Sequence, residues 1–257
     1  MEFKDKKVVV TGAAGIFGRW IAAYFAAEGA RVCLSDIRKD KLADIAAELG
    51  EDRCLVHATE LTDAASILSL VDLVREEWGA PDIVVNNAGI YTRFDLLTME
   101  IEDWDRVFGI NLRAPFLIGR EMAKLMIAQK VEGSIVNISS GAARKMTNGS
   151  VPYCTSKTAI ERLSKGLALE LAPYRIRVNV VEPGFAPGSE VSTLTDDYVA
   201  RMTKGIPLGR TSGPEDAPAA IAYLCSDKAS FITGAVLSVD GGNSIGTYRP
   251  PEKRIDE

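Results

Sequence analysis

The sequence predicts a doubly wound α/β fold, a seven-stranded parallel sheet with helices on both faces. Short β-branched runs alternate in a fixed order with longer amphipathic ones along the 257 residues. Most of the short runs are apolar throughout, as strands covered on both faces are, whereas half-exposed strands alternate. A glycine-rich turn joins the first short run to the first amphipathic one. Strand-helix-strand repetition with right-handed crossovers gives a parallel sheet.

In order, the strands are read in Lys7-Val-Val-Val-Thr11, Arg31-Val-Cys-Leu-Ser35, Cys54-Leu-Val-His57, Asp82-Ile-Val-Val-Asn86 and Ser134-Ile-Val-Asn-Ile138, then in Ile176–Val181 and Ala235-Val-Leu-Ser-Val239. Helices are expected between them over Ile16–Glu28, Lys39–Leu49, Asp63–Glu77, Ile101–Gln129 in one or two pieces, Pro152–Leu171 and Glu215–Leu224. No Pro/Gly/Ser linker interrupts the rhythm, so residues 1–242 are read as one domain. The stretch Glu182–Thr211 is too long for a simple connection, and loops of that length are commonly lids or binding loops; a lid is expected over about 185–211. The tail 243–257, with Pro250-Pro251 and six charges, is read as extended.

Composition narrows the function. With 47% hydrophobic and 25% charged residues the chain is an ordinary globular one, neither disordered nor fibrous. A net charge of −5 offers no clustered cations for a phosphate backbone or anionic lipid, so neither nucleic acid nor membrane is an expected partner. The longest apolar run, Trp20–Ala27, is far short of the roughly 20 residues that span a bilayer. The start Met1–Lys7 has no signal-peptide core, and a soluble, cytoplasmic protein is expected. Cys33, Cys54, Cys154 and Cys225 include no C-x-x-C pair and fit reduced core thiols. The single histidine, His57, lies in an apolar run and is read as structural; no metal site is expected.

Three motifs carry chemistry. In Thr11-Gly12-Ala13-Ala14-Gly15-Ile16-Phe17-Gly18 a strand-to-helix turn lets backbone approach a pyrophosphate seated on helix N-terminal amides. Asp36 follows the second strand near the spacing at which a carboxylate accepts hydrogen bonds from an adenosine ribose, which favours NAD. Its plainer role is an N-cap for the helix from Lys39, and Arg38 softens the discrimination against NADP. Third, Tyr153-Cys154-Thr155-Ser156-Lys157 places a phenol and an ammonium one turn apart on a helix. A nearby ammonium stabilises a phenolate and lowers its pKa from about 10.

Ser140, at the end of the fifth strand and thirteen residues before Tyr153, joins these motifs, as do Asn86-Asn87-Ala88-Gly89 and Asn111. From about Lys7 to Gly242 this combination resembles the short-chain dehydrogenase/reductase family. Later markers agree: Glu182-Pro183-Gly184, Ile206-Pro-Leu-Gly-Arg210, Pro214-Glu-Asp216 and Ile232–Gly242. The resemblance implies a single-domain Rossmann fold with NAD as cofactor and a catalytic tetrad of Asn111, Ser140, Tyr153 and Lys157. Tyr153 is the implied acid/base, Ser140 the group that holds the substrate oxygen, Lys157 the ligand of the nicotinamide ribose, and Asn111 the anchor of a relay water.

It also implies cofactor contacts from Gly12, Ala14, Gly15, Ile16, Phe17, Gly18, Asp36, Ile37, Glu60, Leu61, Asn87, Ala88 and Gly89, with Pro183, Gly184 and Phe185 along the nicotinamide. Glu60 stands where members usually have Asp, and a solvated loop residue is its plainer role. Ile16 replaces a customary glycine. Gly188 stands where many members carry a Thr, with Ser189 next as a substitute. Arg93, Arg144 and Lys145 flank the expected pocket, either as anchors for a substrate anion or as solvated charges.

The expected activity is hydride transfer between NAD and a secondary alcohol or ketone: a small alcohol, hydroxy acid or sugar. A 3-oxoacyl-[acyl carrier protein] reductase is the alternative, with Arg120, Lys124 and Lys130 as a patch for the acidic carrier. A non-catalytic nucleotide sensor is the remote one. Relatives of this kind are commonly tetramers, packed through the helices after the fourth and fifth strands and the C-terminal strand.

Overall fold

The computed structural model describes residues 1–188 and 194–249. Seven strands, β1 (Lys7–Thr11), β2 (Arg31–Asp36), β3 (Cys54–Ala58), β4 (Ile83–Asn86), β5 (Ser134–Ile138), β6 (Arg177–Pro183) and β7 (Val236–Val239), form one sheet of order β3-β2-β1-β4-β5-β6-β7. Every neighbouring pair is parallel. This is the seven-stranded Rossmann arrangement that the sequence predicts.

The helices are α1 (Ile16–Ala27), α2 (Lys39–Leu49), α3 (Ala64–Trp78), α4 (Ile101–Phe108), α5 (Ala114–Ala128), α6 (Val151–Leu171), α7 (Asp196–Lys204) and α8 (Asp216–Cys225). Successive strand residues serve opposite faces. Val8 and Val10 of β1 join a core with Ile21 and Phe25 of α1, Leu42 of α2 and Ile221 of α8. Val9 points the other way, into a core with Ile67 of α3, Ile118 and Met122 of α5 and Ala168 of α6. Both faces being covered, the strands have no polar side, which accounts for their unbroken apolar runs.

Several expectations shift. The stretch Ile101–Gln129, expected in one or two pieces, is two helices, α4 and α5, joined by a wide π-type turn at Gly109–Arg113 that was not expected. Helix α7 lies inside the expected lid; its N-cap Thr195 accepts a hydrogen bond from Tyr198 N, two aspartates occupy its first turn, and Arg201 and Lys204 its last. Strand β4 starts at Ile83, one residue later than expected; Asp82 just before it has its carboxylate on Lys6 Nζ and Lys7 N at 2.9 Å each.

The first part of the tail is not extended. Residues 241–246 turn back on Asp240, whose carboxylate accepts from Gly242 N, Ser244 N and Ser244 Oγ. The rest of the tail, from 250, lies outside the described residues.

His57 has Nδ1 on Thr59 Oγ1 at 2.8 Å and Nε2 on Ser69 Oγ at 3.1 Å, in keeping with a structural role. All four cysteines are free, and burial pushes the Cys33 and Cys225 thiols up to about 12. Among the described residues no helix is long and apolar enough to cross a membrane, and no three or more His, Cys, Asp or Glu are grouped to hold a metal ion.

Candidate active site

The sheet order reverses direction between β1 and β4, and a crevice opens at that switch point, where ligands of open α/β sheets sit. On the β1 side the turn is built without Cβ atoms. Gly12 has φ +64°, and a Cβ there would lie 2.8 Å from Ala88 Cα. At Gly18 a Cβ would fall 2.0 Å from Gly12 O, so no other residue fits.

Helix α1 then starts at Ile16 behind Gly15 with no side-chain cap and no acidic residue in its first turn. Its dipole and first-turn amides suit an anion. From β4, Asn87 N and Ala88 N both donate to Thr11 Oγ1 at 3.1 Å, and Asn87 Nδ2 donates to Thr11 O and Gly12 O. These bonds fasten the Asn87-Ala88-Gly89 strand end to the turn.

Asp36 ends β2 with its side chain 8% exposed. Oδ2 accepts from Ala14 N at 3.1 Å; Oδ1 accepts from Arg38 N at 3.1 Å and Arg38 Nε at 3.2 Å. The N-cap of α2 is Arg38, with no side-chain cap, so Asp36 is not a helix cap. Its carboxylate belongs to the turn that would meet an adenosine ribose, beside the exposed Ile37. Glu60 Oε1 serves its own loop, accepting from Thr62 N and Thr62 Oγ1, while Leu61 packs against the core.

The reactive groups stand on α6 and at the end of β5. Lys157 is 4% exposed, and its Nζ donates to Ile138 O at 2.8 Å. Burial pushes its pKa down to about 8. Its Nζ lies 5.8 Å from the Tyr153 ring centroid, and the Tyr91 ring meets Tyr153 edge-on at 4.8 Å. Ser140 hydrogen-bonds the Tyr153 hydroxyl. It also caps a single 3₁₀ turn at Gly141–Ala143 by accepting from Ala142 N at 3.2 Å.

Asn111 sits in the π-type turn. Oδ1 accepts from Ile90 N, and Nδ2 donates to Ile90 O and to Ser156 Oγ on α6. A Cβ on Gly89 would lie 3.3 Å from both Asn111 Oδ1 and Lys157 Nζ, so this glycine keeps the two within reach of one another. A cleft of about 210 Å³ collects Phe17, Asn87, Tyr91, Ser140, Tyr153 and Lys157 against Pro183 and Gly184 of the far wall. Phe185 follows, its ring edge-on to Tyr198 of α7.

One expectation is corrected. The Tyr153 phenol is pushed above its ordinary value, first by burial and further by Cys154 and Tyr91, with only the Ser140 bond pulling down. The lysine is not among the groups that act on it: its Nζ donates to Ile138 O and lies 5.8 Å from the ring centroid.

Arg144 is not free for a substrate anion either. It reaches Glu182 Oε2 at 2.7 Å and also Ser238 and Ser244. Lys145 Nζ donates to Asn243 O, and Arg93 to Asn148 O. Glu182 and its neighbour Glu161 were not among the expected site residues; the spacing of Glu161 four residues after Lys157 is the signal that places it on the same helix face. Ser189 lies outside the described residues; Gly188 has φ +102°.

The sequence profile of a family described as Enoyl-(Acyl carrier protein) reductase matches residues 12–244. A 3-oxoacyl-[acyl-carrier-protein] reductase of Thermotoga maritima is 36% identical over 94% of this chain and 99% of its own. A meso-2,3-butanediol dehydrogenase of Serratia marcescens is 31% identical over 97% and 99%. The crystal structure of a 3-ketoacyl-(acyl-carrier-protein) reductase from Brucella melitensis, complexed with NADH, superposes with a TM-score of 0.87 at 34% identity, covering 94% of this chain and 99% of that one.

The glycine turn and the cleft beside it thus define a nicotinamide-dependent oxidoreductase acting on CH–OH groups. Within that class, the chain belongs to the short-chain dehydrogenase/reductase family.

Proposed function

We propose that this protein interconverts a secondary alcohol and its ketone with NAD, on a substrate the size of a small alcohol, hydroxy acid or sugar. The observation that carries this is the convergence of Ser140, Tyr153 and Lys157 on one cleft, with Asp36 held at the end of β2. The turn around Gly12, Gly15 and Gly18 fits a pyrophosphate. A 2′-phosphate about 4 Å from Asp36 would cost on the order of 1–4 kcal/mol by repulsion.

The bound dinucleotide supplies the hydride acceptor at the carbinol carbon, or the donor in reverse. The chain does the rest. Ser140 holds the substrate oxygen by a hydrogen bond. The Tyr153 oxygen takes the hydroxyl proton in oxidation and returns it to the ketone oxygen in reduction. Lys157, cationic below pH about 8, binds the ribose. Asn111 props the β4 strand end against α6 and anchors the relay water. Because burial keeps the phenol protonated, oxidation is expected to speed up as pH rises until Lys157 loses its charge near 8, whereas reduction, which uses the protonated phenol, is not.

A second reading, reduction of 3-oxoacyl thioesters on acyl carrier protein, is favoured by the relatives that carry that name. Against it, Arg120 and Lys124, two of the three cations expected to form a carrier patch, are both paired with Glu121.

We place the protein in the cytoplasm, as a homotetramer packed through the α4–α5 and α6 faces and β7. The exposed Phe116, Leu169 and Phe231 support that packing; sedimentation showing only monomer would remove it. An absorbance assay of NAD against NADP over alcohols, sugars, hydroxy acids and hydroxyacyl thioesters separates the readings. Turnover with NAD on a small alcohol supports the first, turnover confined to thioesters and NADP the second, and no turnover on any class contradicts both.

A further inference from the structure

Tyr153, Lys157 and Glu161 lie four residues apart and form a single stripe along α6. The first two face the cleft. Glu161 meets Glu182, a fully buried carboxyl on β6. One oxygen of Glu182 is well served, by Arg144 at 2.7 Å and by Ser238 Oγ. The other, Oε1, is buried with no donor among the described residues. A buried acceptor left without a donor is costly, and two carboxylates in contact repel. A proton on Glu161 removes both difficulties at once by donating to Glu182.

The pair stands directly behind the reactive groups. Ser139 Oγ bonds both Glu161 Oε1 at 2.9 Å and the backbone oxygen of Lys157 at 3.0 Å, and Ser139 precedes Ser140 in the chain. Glu182 precedes Pro183 and Gly184, the opposite wall of the cleft.

We propose that Glu161 and Glu182 are a one-proton carboxyl pair that positions the catalytic groups, clamping the α6 stripe to β6 so that Ser140 and Lys157 face Pro183 across a cleft of fixed width. The charged group facing the pair is Arg144 from the β5–α6 loop; Asp240 after β7 stands one hydrogen bond further off, sharing Ser244 with Arg144. Burial first, and then contact with Glu182, raise the Glu161 carboxyl, while Ser139 and Arg144 pull the other way. With a raised pKa in the fold, the pair stabilises the protein fully below the ordinary carboxyl range and loses that contribution as pH rises through the folded value.

The catalytic half of the proposal rests on the Tyr153 reaction above; the stability half does not. The experiment measures Tm and kcat against pH for the full chain, Glu161→Gln, Glu182→Gln and Glu161→Ala. Gln at 161 keeps a donor with no proton to lose. The expected result is a wild-type Tm that falls with rising pH where both Gln variants stay flatter. The wild-type kcat profile is expected to show an ionisation that Glu161→Gln lacks. Glu161→Ala is expected to lower kcat at pH 7 roughly tenfold, the scale of one unsatisfied buried acceptor, with Glu161→Gln recovering most of it.

Superimposable wild-type and Gln profiles in both Tm and kcat overturn the proposal. So does an Ala variant as active as wild type. If one Gln variant fails to fold, the other carries the Tm comparison. An active Tyr153→Phe would overturn the catalytic reading alone, leaving the Tm comparison to decide on the pair.

Discussion

Lys157 shows how a residue can serve chemistry at the expense of stability. Its buried ammonium titrates at about 8, against 10.5 for an ordinary lysine. Below pH 8 the fold holds a charge that the unfolded chain hydrates freely, a cost of roughly 3 kcal/mol by linkage. That cost is relieved as pH rises from about 8 to 10.5, where the folded lysine is neutral while the unfolded one is still charged. Lys157→Met is therefore expected to raise Tm at pH 7 while abolishing turnover, with the gain shrinking by pH 10. Calorimetry at the two pH values checks it; a lower Tm at pH 7 would show that the bond to Ile138 O outweighs the desolvation. Asp36 makes the matching case for specificity. Asp36→Ala is expected to reduce the NAD over NADP preference in kcat/KM by roughly fivefold or more, the smaller end of one like-charge repulsion. The identities of both residues were legible in the sequence because their chemistry depends on type and spacing. The direction in which Tyr153 titrates was not, since spacing says nothing of burial.

At the scale of elements, the β1–α1 unit is the least tolerant of change. Gly18→Ala drives a Cβ into Gly12 O, a backbone atom that cannot swing aside. It is expected to lower Tm and to eliminate NADH binding, which fluorescence titration would read; unimpaired binding would mean that the turn relaxes without losing its shape. The strands could be read almost to the residue, because a strand buried on both faces writes an unbroken apolar run. Helix α7 could not. It is only nine residues long and has no fully buried side chain, so neither length nor an apolar stripe announces it; its cap and charges do, in Thr195-Asp196-Asp197 and Arg201–Lys204. The π-type turn was hidden for a related reason. One inserted residue keeps the helical pattern going, and only its tertiary bonds, Asn111 to Ile90 and Ser156, show why the helix widens there.

For the molecule as a whole, the order β3-β2-β1-β4-β5-β6-β7 decides where function sits. It brings Gly12, Asp36 and Asn87 from one half of the sheet beside Ser140, Tyr153 and Lys157 from the other, although 145 positions separate Gly12 from Lys157. The class of fold was legible from periodicity, and the site from motifs that the family resemblance tied together. What was not legible is the wiring behind the site, where Arg144, Glu161, Glu182 and Ser238 meet from four separate segments. A single sequence carries no signal for such a meeting, because each residue alone passes for a surface charge or a loop polar group.

The central claim is that the Tyr153 oxygen carries the proton exchanged with the substrate. Tyr153→Phe removes that oxygen and leaves the ring against Tyr91 and the glycine turn untouched. Steady-state turnover on the best alcohol of the panel should fall by at least the 10²–10⁴-fold that acid/base catalysis supplies, with the NADH dissociation constant within about threefold of wild type. Turnover retained within tenfold, at unchanged NADH affinity, would contradict the account.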